Sequence, residues 1–373
     1  MKHKKYTREL ILLEESGNFR KFPEQASDSM IDLSSNDYLG LMQNASLQNE
    51  FMQSVDLSKL KFTASSSRLL SGNSNEYTQL ENLIASQYQR DACLVFNSGY
   101  HANTGIIPAL AQKNDLIIAD KLVHASIIDG MQLSKADFLR YNHLDYDHLE
   151  LLLEKKSKHY EHVFIISESV FSMDGDKANI QKLVELKNKF GAFLYIDEAH
   201  AVGALGKNGL GCVEEENLIR EVDFIMGTFG KALASVGAYL VCDSIFKHYL
   251  INKARTLIFT SALPPINLAW SHFIMQKLPD FHENRIQLKK LGQQFAELLN
   301  VKSDSHIVPY IIGENKNAIQ ASQLLKENGF NVLPIRYPTV PQGRARLRFS
   351  LNASMKIGQL ELIGKVLTSN LAI

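Results

Sequence analysis

The sequence predicts an α/β protein, with a larger domain on a mostly parallel central sheet followed by a smaller C-terminal α+β domain. Three observations carry that expectation. Short apolar runs, rich in β-branched and aromatic residues, alternate with amphipathic stretches up to about residue 265. The runs lack strict polar–apolar alternation, which is how strands covered on both faces of a parallel sheet read. After Pro264-Pro265 the order changes to helices interspersed with strands, as in an appended α+β unit.

Residues 1–45 read as an N-terminal arm: a charged helical start, Pro23, then a short strand at Met30–Leu33. In the large domain, 46–265, the strand-like runs are Cys93–Phe96, Leu116–Ala119, Val163–Ile166, Phe193–Ile196, Phe224–Met226 and Ala238–Val241. Helical periods separate them, for example Ile180, Leu183, Val184 and Lys187 behind Asn179, a side chain suited to capping. Residues 266–373 give two helices, a strand at Ile307–Ile312, a helix, strands near Asn331–Leu333 and Arg346–Phe349, and a last helix.

Composition narrows the function classes. The chain has 373 residues, with 40 Lys+Arg against 40 Asp+Glu, so its formal net charge is zero. No basic field would draw it to nucleic acid. Cys93, Cys212 and Cys242 stand far apart and form no Cys-x-x-Cys pair, so neither a disulfide framework nor a metal site is expected. The basic start Met1–Lys5 leads into Tyr6-Thr7-Arg8-Glu9 rather than an apolar signal core. No apolar run approaches the ~18–20 residues that span a bilayer. A cytoplasmic protein with no membrane partner is expected.

Two glycine-rich stretches fail as nucleotide motifs. Gly203–Gly211 carries four glycines but does not give Gly-x-Gly-x-x-Gly opening a helix. Gly230-Lys231 is followed by Ala232, where a phosphate-binding loop needs Ser or Thr for magnesium. A flexible loop is the reading of the first stretch.

The chemistry-bearing residues lie at the ends of predicted strands. Lys231, in Thr228-Phe229-Gly230-Lys231, follows the run Phe224–Met226. Ligands of open α/β sheets bind at the carboxyl ends of strands. A lysine placed there can form an imine with a carbonyl cofactor, the alternative being a solvated loop lysine. Asp197-Glu198-Ala199-His200 ends the preceding run. Asp197 there could cap a helix or bind a metal; beside an imine lysine it would pair with a pyridine nitrogen and keep it protonated. His200 could bond the ring oxygen or help move a proton. Asn97-Ser98-Gly99-Tyr100 sits between a strand and a helix start, where backbone N–H groups favour an anion, or else form an ordinary turn. Thr228 could add a hydroxyl to that anion site. His124 follows another strand and could stack on an aromatic ring, although a lone histidine is also a common structural residue.

In order along the chain, Ser34–Gly40, Ser67–Asn73, Asn97–Asn103, His124–Ser126, Glu168–Asp176, Asp197–His200, Thr228–Lys231 and Pro338–Pro341 together resemble the pyridoxal-phosphate α-oxoamine synthases. That family is a branch of the fold-type-I, class-II aminotransferase-like superfamily, and the resemblance covers most of the chain. It implies pyridoxal 5'-phosphate as cofactor and a decarboxylative condensation of an amino acid with an acyl thioester. By position, Lys231 would carry the cofactor and act as base and acid, Asp197 would pair with the ring nitrogen, and His124 would stack on the ring. His200 and Ser172 would contact the cofactor, while Gly99, Tyr100 and Thr228 would line it and its phosphate. Arg348 would bind the amino-acid carboxylate, with Arg336, Thr339 and Asn36 near the substrate. Thr260, with Ser261, resembles the segment that reaches the neighbouring subunit's phosphate, which implies a homodimer with shared active sites.

The motifs look most like the branch that joins L-alanine to a pimeloyl thioester early in biotin synthesis, with coenzyme A or an acyl carrier protein as carrier. Relatives using glycine or serine with another acyl-coenzyme A are the alternative. A non-catalytic partner subunit would lack the imine lysine, and a plain aminotransferase would form no new carbon–carbon bond. Two positions depart from the family pattern: Tyr77 stands where histidine is common, and Phe19–Pro23 only partly matches an arginine-rich segment.

Overall fold

The computed structural model describes residues 2–22, 27, 29–56 and 58–370; Pro23 of the arm lies outside them. The chain forms two compact units. Unit 1 comprises Met1–Asn36, Ser172–Asp176 and Gln287–Ile373, and unit 2 comprises Asp37–Phe171 and Lys177–Ile286.

Unit 1 begins with the helix Lys4–Glu15 and strand β1 (Ile31–Asp32). Unit 2 then contributes β2 (Ala92–Phe96), β3 (Leu116–Asp120), β4 (Asp137–Tyr141), β5 (Val163–Glu168), β6 (Phe193–Asp197), β7 (Phe224–Thr228) and β8 (Ala238–Cys242). Unit 1 resumes with β9 (Ile307–Gly313), β10 (Phe330–Asn331), β11 (Pro334–Ile335) and β12 (Ala345–Ser350).

The strands of unit 2 form one sheet in the order β2-β8-β7-β6-β5-β3-β4. Only β8 runs against its neighbours; the other adjacent pairs are parallel. Every residue of β2, β3, β5, β7 and β8 is buried. Helices cover both faces of such a sheet, so no polar alternation is needed along its strands. The edge strand β4 differs: Asp137-Phe138-Leu139-Arg140-Tyr141 is exposed except at Tyr141 and half-buried Leu139. Its charges suit an edge and hide it from an apolar-run search, so the sequence reading lacks it.

The helix Ile180–Phe190 forms where the spacing predicts it. Asn179 accepts a hydrogen bond from Lys182 N at 2.9 Å, and Gly191 ends the helix in the left-handed region at φ 63°. Ile180, Leu183, Val184 and Leu186 are its buried face. Such burial contributes roughly 1.5–3 kcal/mol for each large side chain.

Unit 1 contains a three-stranded antiparallel sheet, β11-β12-β9, and a parallel pair, β1 with β10. The predicted strand near Asn331–Leu333 is split. Phe330 and Asn331 pair with β1, whereas Pro334 and Ile335 pair with β12. The chain changes partners at Val332-Leu333, just before a proline that has no N–H to continue a ladder. Among the described residues, no helix is long and apolar enough to cross a membrane.

Candidate active site

All strands of unit 2 except β8 run the same way, so their carboxyl ends share one edge of the sheet. Loops leaving that edge carry the chemistry-bearing residues. Past β2 comes the helix Gly99–Leu110; past β3 comes His124; β5 ends at Glu168, β6 at Asp197, and β7 at Thr228, three residues before Lys231. The topology thus gathers Gly99, Tyr100, His124, Asp197, His200, Thr228 and Lys231 around one cavity of about 170 Å³.

Lys231 Nζ lies 2.7 Å from His200 Nε2, and His200 Nδ1 lies 2.7 Å from the Tyr38 hydroxyl. The imidazole therefore links the lysine to a phenol that is fully buried. Asp197 is 4% exposed; its Oδ2 accepts from Asn103 Nδ2 at 2.9 Å and its Oδ1 from the Ala199 backbone at 2.9 Å. A carboxylate has about four acceptor positions, so room remains for a further donor from the cavity. His124 caps the helix Ala125–Leu133, with its Nδ1 2.8 Å from Ser126 Oγ. Burial is the main cause that lowers the His124 pKa, and Lys231 lowers it further against the opposite pull of Asp197. Burial and Lys231 both favour the neutral imidazole.

Glu168 lies beside Asp197 across the β5–β6 pair and is 2% exposed. Burial and the neighbouring Asp197 push its pKa well above the usual carboxylate range, and it accepts from the His124 backbone N–H.

The helix Gly99–Leu110 opens at this cavity, and Ser98 caps it by accepting from His101 N at 3.1 Å. Its first N–H groups and its dipole make an anion site. A Cβ on Gly99 would meet only Met226 Cε at 3.8 Å. Protein packing does not demand glycine there; a group in the cavity would. Thr228 Oγ1 donates to Gly237 O at 2.9 Å and accepts from Gly230 N at 3.2 Å, which shapes the lysine turn. The Tyr100 hydroxyl donates to Asp129. Thr260 Oγ1 accepts from Asn97 Nδ2 at 3.4 Å, and Ser261 O accepts from the same amide at 2.7 Å.

The remaining expected residues lie in unit 1. Arg348 is 8% exposed and donates to Ser172 O, to Ser350 Oγ at 2.6 Å and to Asn36 Oδ1 at 3.1 Å. Arg336 donates to Gly17 O, and Thr339 Oγ1 accepts from Arg20 Nη2 at 3.3 Å. The arm segment 17–20 thus folds onto 336–339 within that unit.

Tyr77 has a structural setting of its own. It is buried, accepts from Leu263 N at 2.7 Å and stacks under Arg68 at 3.9 Å. Three cavity residues, Asn103, Ser126 and Glu168, stand in the motifs read from the sequence but received no role there. Asn103 was findable: it follows Gly99 by four residues on one helix, and that spacing shares a face.

Against this geometry, the model of the family described as aminotransferase class I and II matches residues 28–366. The chain belongs to the class I and II aminotransferases. Within that family it falls in the α-oxoamine synthase group, as its relatives do. A Haemophilus ducreyi 8-amino-7-oxononanoate synthase is 50% identical over 89% of this chain and 89% of its own length. A solved 8-amino-7-oxononanoate synthase from Francisella tularensis is 32% identical, with a TM-score of 0.78 over 92% of this chain and 98% of that one. A serine palmitoyltransferase variant from S. paucimobilis, solved with a bound PLP–myriocin aldimine, is 28% identical with a TM-score of 0.89 over 99% of this chain and 97% of that one. This member of the aminotransferase family therefore has the fold-type-I architecture.

Proposed function

We propose that the protein uses pyridoxal 5'-phosphate to condense L-alanine with a pimeloyl thioester, releasing carbon dioxide and the thiol carrier and giving 8-amino-7-oxononanoate. The observation that carries this reading is the juxtaposition of Lys231, His200 and a buried Asp197 at one sheet edge, in a chain half identical to an enzyme of that name. The donor set fits the cofactor. A helix N-terminus suits its phosphate, Asp197 retains acceptor capacity for a ring N–H, neutral His124 suits the ring face, and Lys231 supplies the amine.

When bound, pyridoxal phosphate supplies an electron sink for the carbanion formed at the amino-acid α-carbon. Lys231 Nζ takes the α-proton and later returns a proton, and His200, steadied by Tyr38, holds that nitrogen in place. A positioned base of this kind contributes typically ~10²–10⁴-fold. Arg348 is assigned to the amino-acid carboxylate through parallel N–H donors, with Arg336, Thr339 and Asn36 near the substrate and Ser172 toward the cofactor. We further propose an arm (1–45), a cofactor-holding domain (46–265) and a C-terminal domain (266–373). The reading includes a cytoplasmic homodimer in which Thr260 serves the neighbouring site.

The test is a product assay with pyridoxal phosphate, each of L-alanine, glycine and L-serine, and pimeloyl groups on coenzyme A or on acyl carrier protein. Alanine should give product, free thiol and carbon dioxide in equal amounts, and the other two amino acids should react at least about tenfold more slowly, a missing methyl in glycine or an added hydroxyl in serine each being worth about that much discrimination. Preference for glycine or serine would move the protein to another branch of the family. Release of a keto acid and pyridoxamine phosphate with no new carbon–carbon bond would make it a plain aminotransferase.

A further inference from the structure

Asn103 lies at the centre of a buried hydrogen-bond chain that joins the two sides of the cavity. It is 1% exposed, on the helix Gly99–Leu110. Its Nδ2 donates to Asp197 Oδ2 at 2.9 Å and to Ser126 Oγ at 2.9 Å, and its Oδ1 accepts from the Tyr195 hydroxyl at 2.6 Å. An ionised carboxylate can only accept, so the amide nitrogen, not its oxygen, must face Asp197. That choice fixes the rest. Both amide hydrogens are committed, Tyr195 must donate, and Ser126 Oγ accepts a hydrogen bond from Asn103 and is left to donate its own hydrogen. Its neighbour is His124 Nδ1, at 2.8 Å, which also accepts from Ser126 N at 3.2 Å. Nδ1 is therefore the bare nitrogen of His124, and the ring proton sits on Nε2.

We propose that Asn103 is a positioning residue for this reaction: one amide orients the Asp197 carboxylate and, through the Ser126 hydroxyl, adds a second donor to the bare Nδ1 of His124. The inference rests on the pyridoxal-phosphate reading above. It assigns Tyr195 a role as well, since its hydroxyl holds the amide plane from the far side. Burial raises the Tyr195 pKa well above its ordinary value, so the phenol stays a donor.

The experiment compares wild type, Asn103→Ala, Tyr195→Phe and the double variant by three readouts. They are the dissociation constant of pyridoxal phosphate, ¹⁵N chemical shifts of His124 in the protein without cofactor, and the pH midpoint of the visible band of the loaded protein. Asn103→Ala should weaken cofactor binding about tenfold, as loss of a hydrogen bond to a buried charge does. It should also move the His124 Nδ1 shift further toward that of a bare nitrogen with one donor fewer. The midpoint should rise, because a carboxylate that loses a donor keeps more negative charge toward the cavity and so favours the protonated Lys231 nitrogen to higher pH. Tyr195→Phe should weaken binding about threefold, a neutral hydrogen bond's worth, and the double variant should be no worse than Asn103→Ala, because the phenol acts through the amide. Unchanged binding and an unchanged His124 signal in Asn103→Ala, or strictly additive effects, would overturn the inference. If Asn103→Ala does not fold, the nearly isosteric Tyr195→Phe carries the test, and wild-type values in it count against the proposal. Wild-type protein that takes up no cofactor would instead overturn the function proposed above.

Discussion

Single residues in unit 2 show how burial decides protonation. Glu198, next to Asp197, is fully buried and accepts from Ser169 Oγ, Cys212 N and Val213 N, so it pins the loop that follows His200 back onto the sheet. Burial raises its pKa from 4.5 to about 7, against the lowering effect of those donors. A carboxyl with a raised folded-state pKa adds stability that is fully present below the unfolded value and is lost as pH rises through the folded one. Between pH 4.5 and about 7 the wild type should therefore lose stability relative to Glu198→Gln, by at most a few kcal/mol, and the difference should level off above that window. Urea unfolding of both proteins across this range checks the prediction, and a constant difference would mean that Glu198 does not titrate there. The thiols follow the same rule: Cys93 and Cys212 are raised well above their ordinary range and Cys242 to about 12, each mainly by burial. All three thiols are buried.

At the scale of elements, β7 and β8 set how closely the lysine turn packs. Gly227 faces the Tyr239 ring, and a Cβ there would lie 2.4 Å from Cζ. The ring is buried and hydrogen-bonded to Tyr88 at 2.9 Å, so it cannot swing aside. Gly227→Ala should destabilise the protein by about 1–3 kcal/mol through overpacking and should lower activity by displacing Lys231. A thermal midpoint equal to wild type would show that the strand yields. The strands of this sheet were legible in sequence because burial on both faces leaves continuous apolar runs. Edge strand β4 was not, since its outward charges erase that signal. The split of β10 and β11 was also hidden, because a change of pairing partner leaves no mark beyond Pro334.

Across the whole molecule, the candidate site is legible to the extent that it depends on strand ends. Lys231, Asp197, His200 and His124 each follow an apolar run, and parallel topology brings such ends to one edge. Asn103 and Glu168 were missed for a shared reason. One is an internal helix residue and the other a carboxylate that closes β5 with no loop residue of its own, so their roles arise only from packing against Asp197. The assignments of Arg348, Arg336, Thr339 and Asn36 came from motif order alone, and unit 1 places Asn36 on Arg348 while Arg336 and Thr339 meet the arm. The account turns on whether Lys231 carries the cofactor. The direct measurement is borohydride reduction of the protein loaded with pyridoxal phosphate, followed by peptide mass mapping. The phosphopyridoxyl group should appear on Lys231 alone, with wild-type protein absorbing in the visible before reduction. Absence of the label from Lys231, or its appearance on another lysine, would contradict the account.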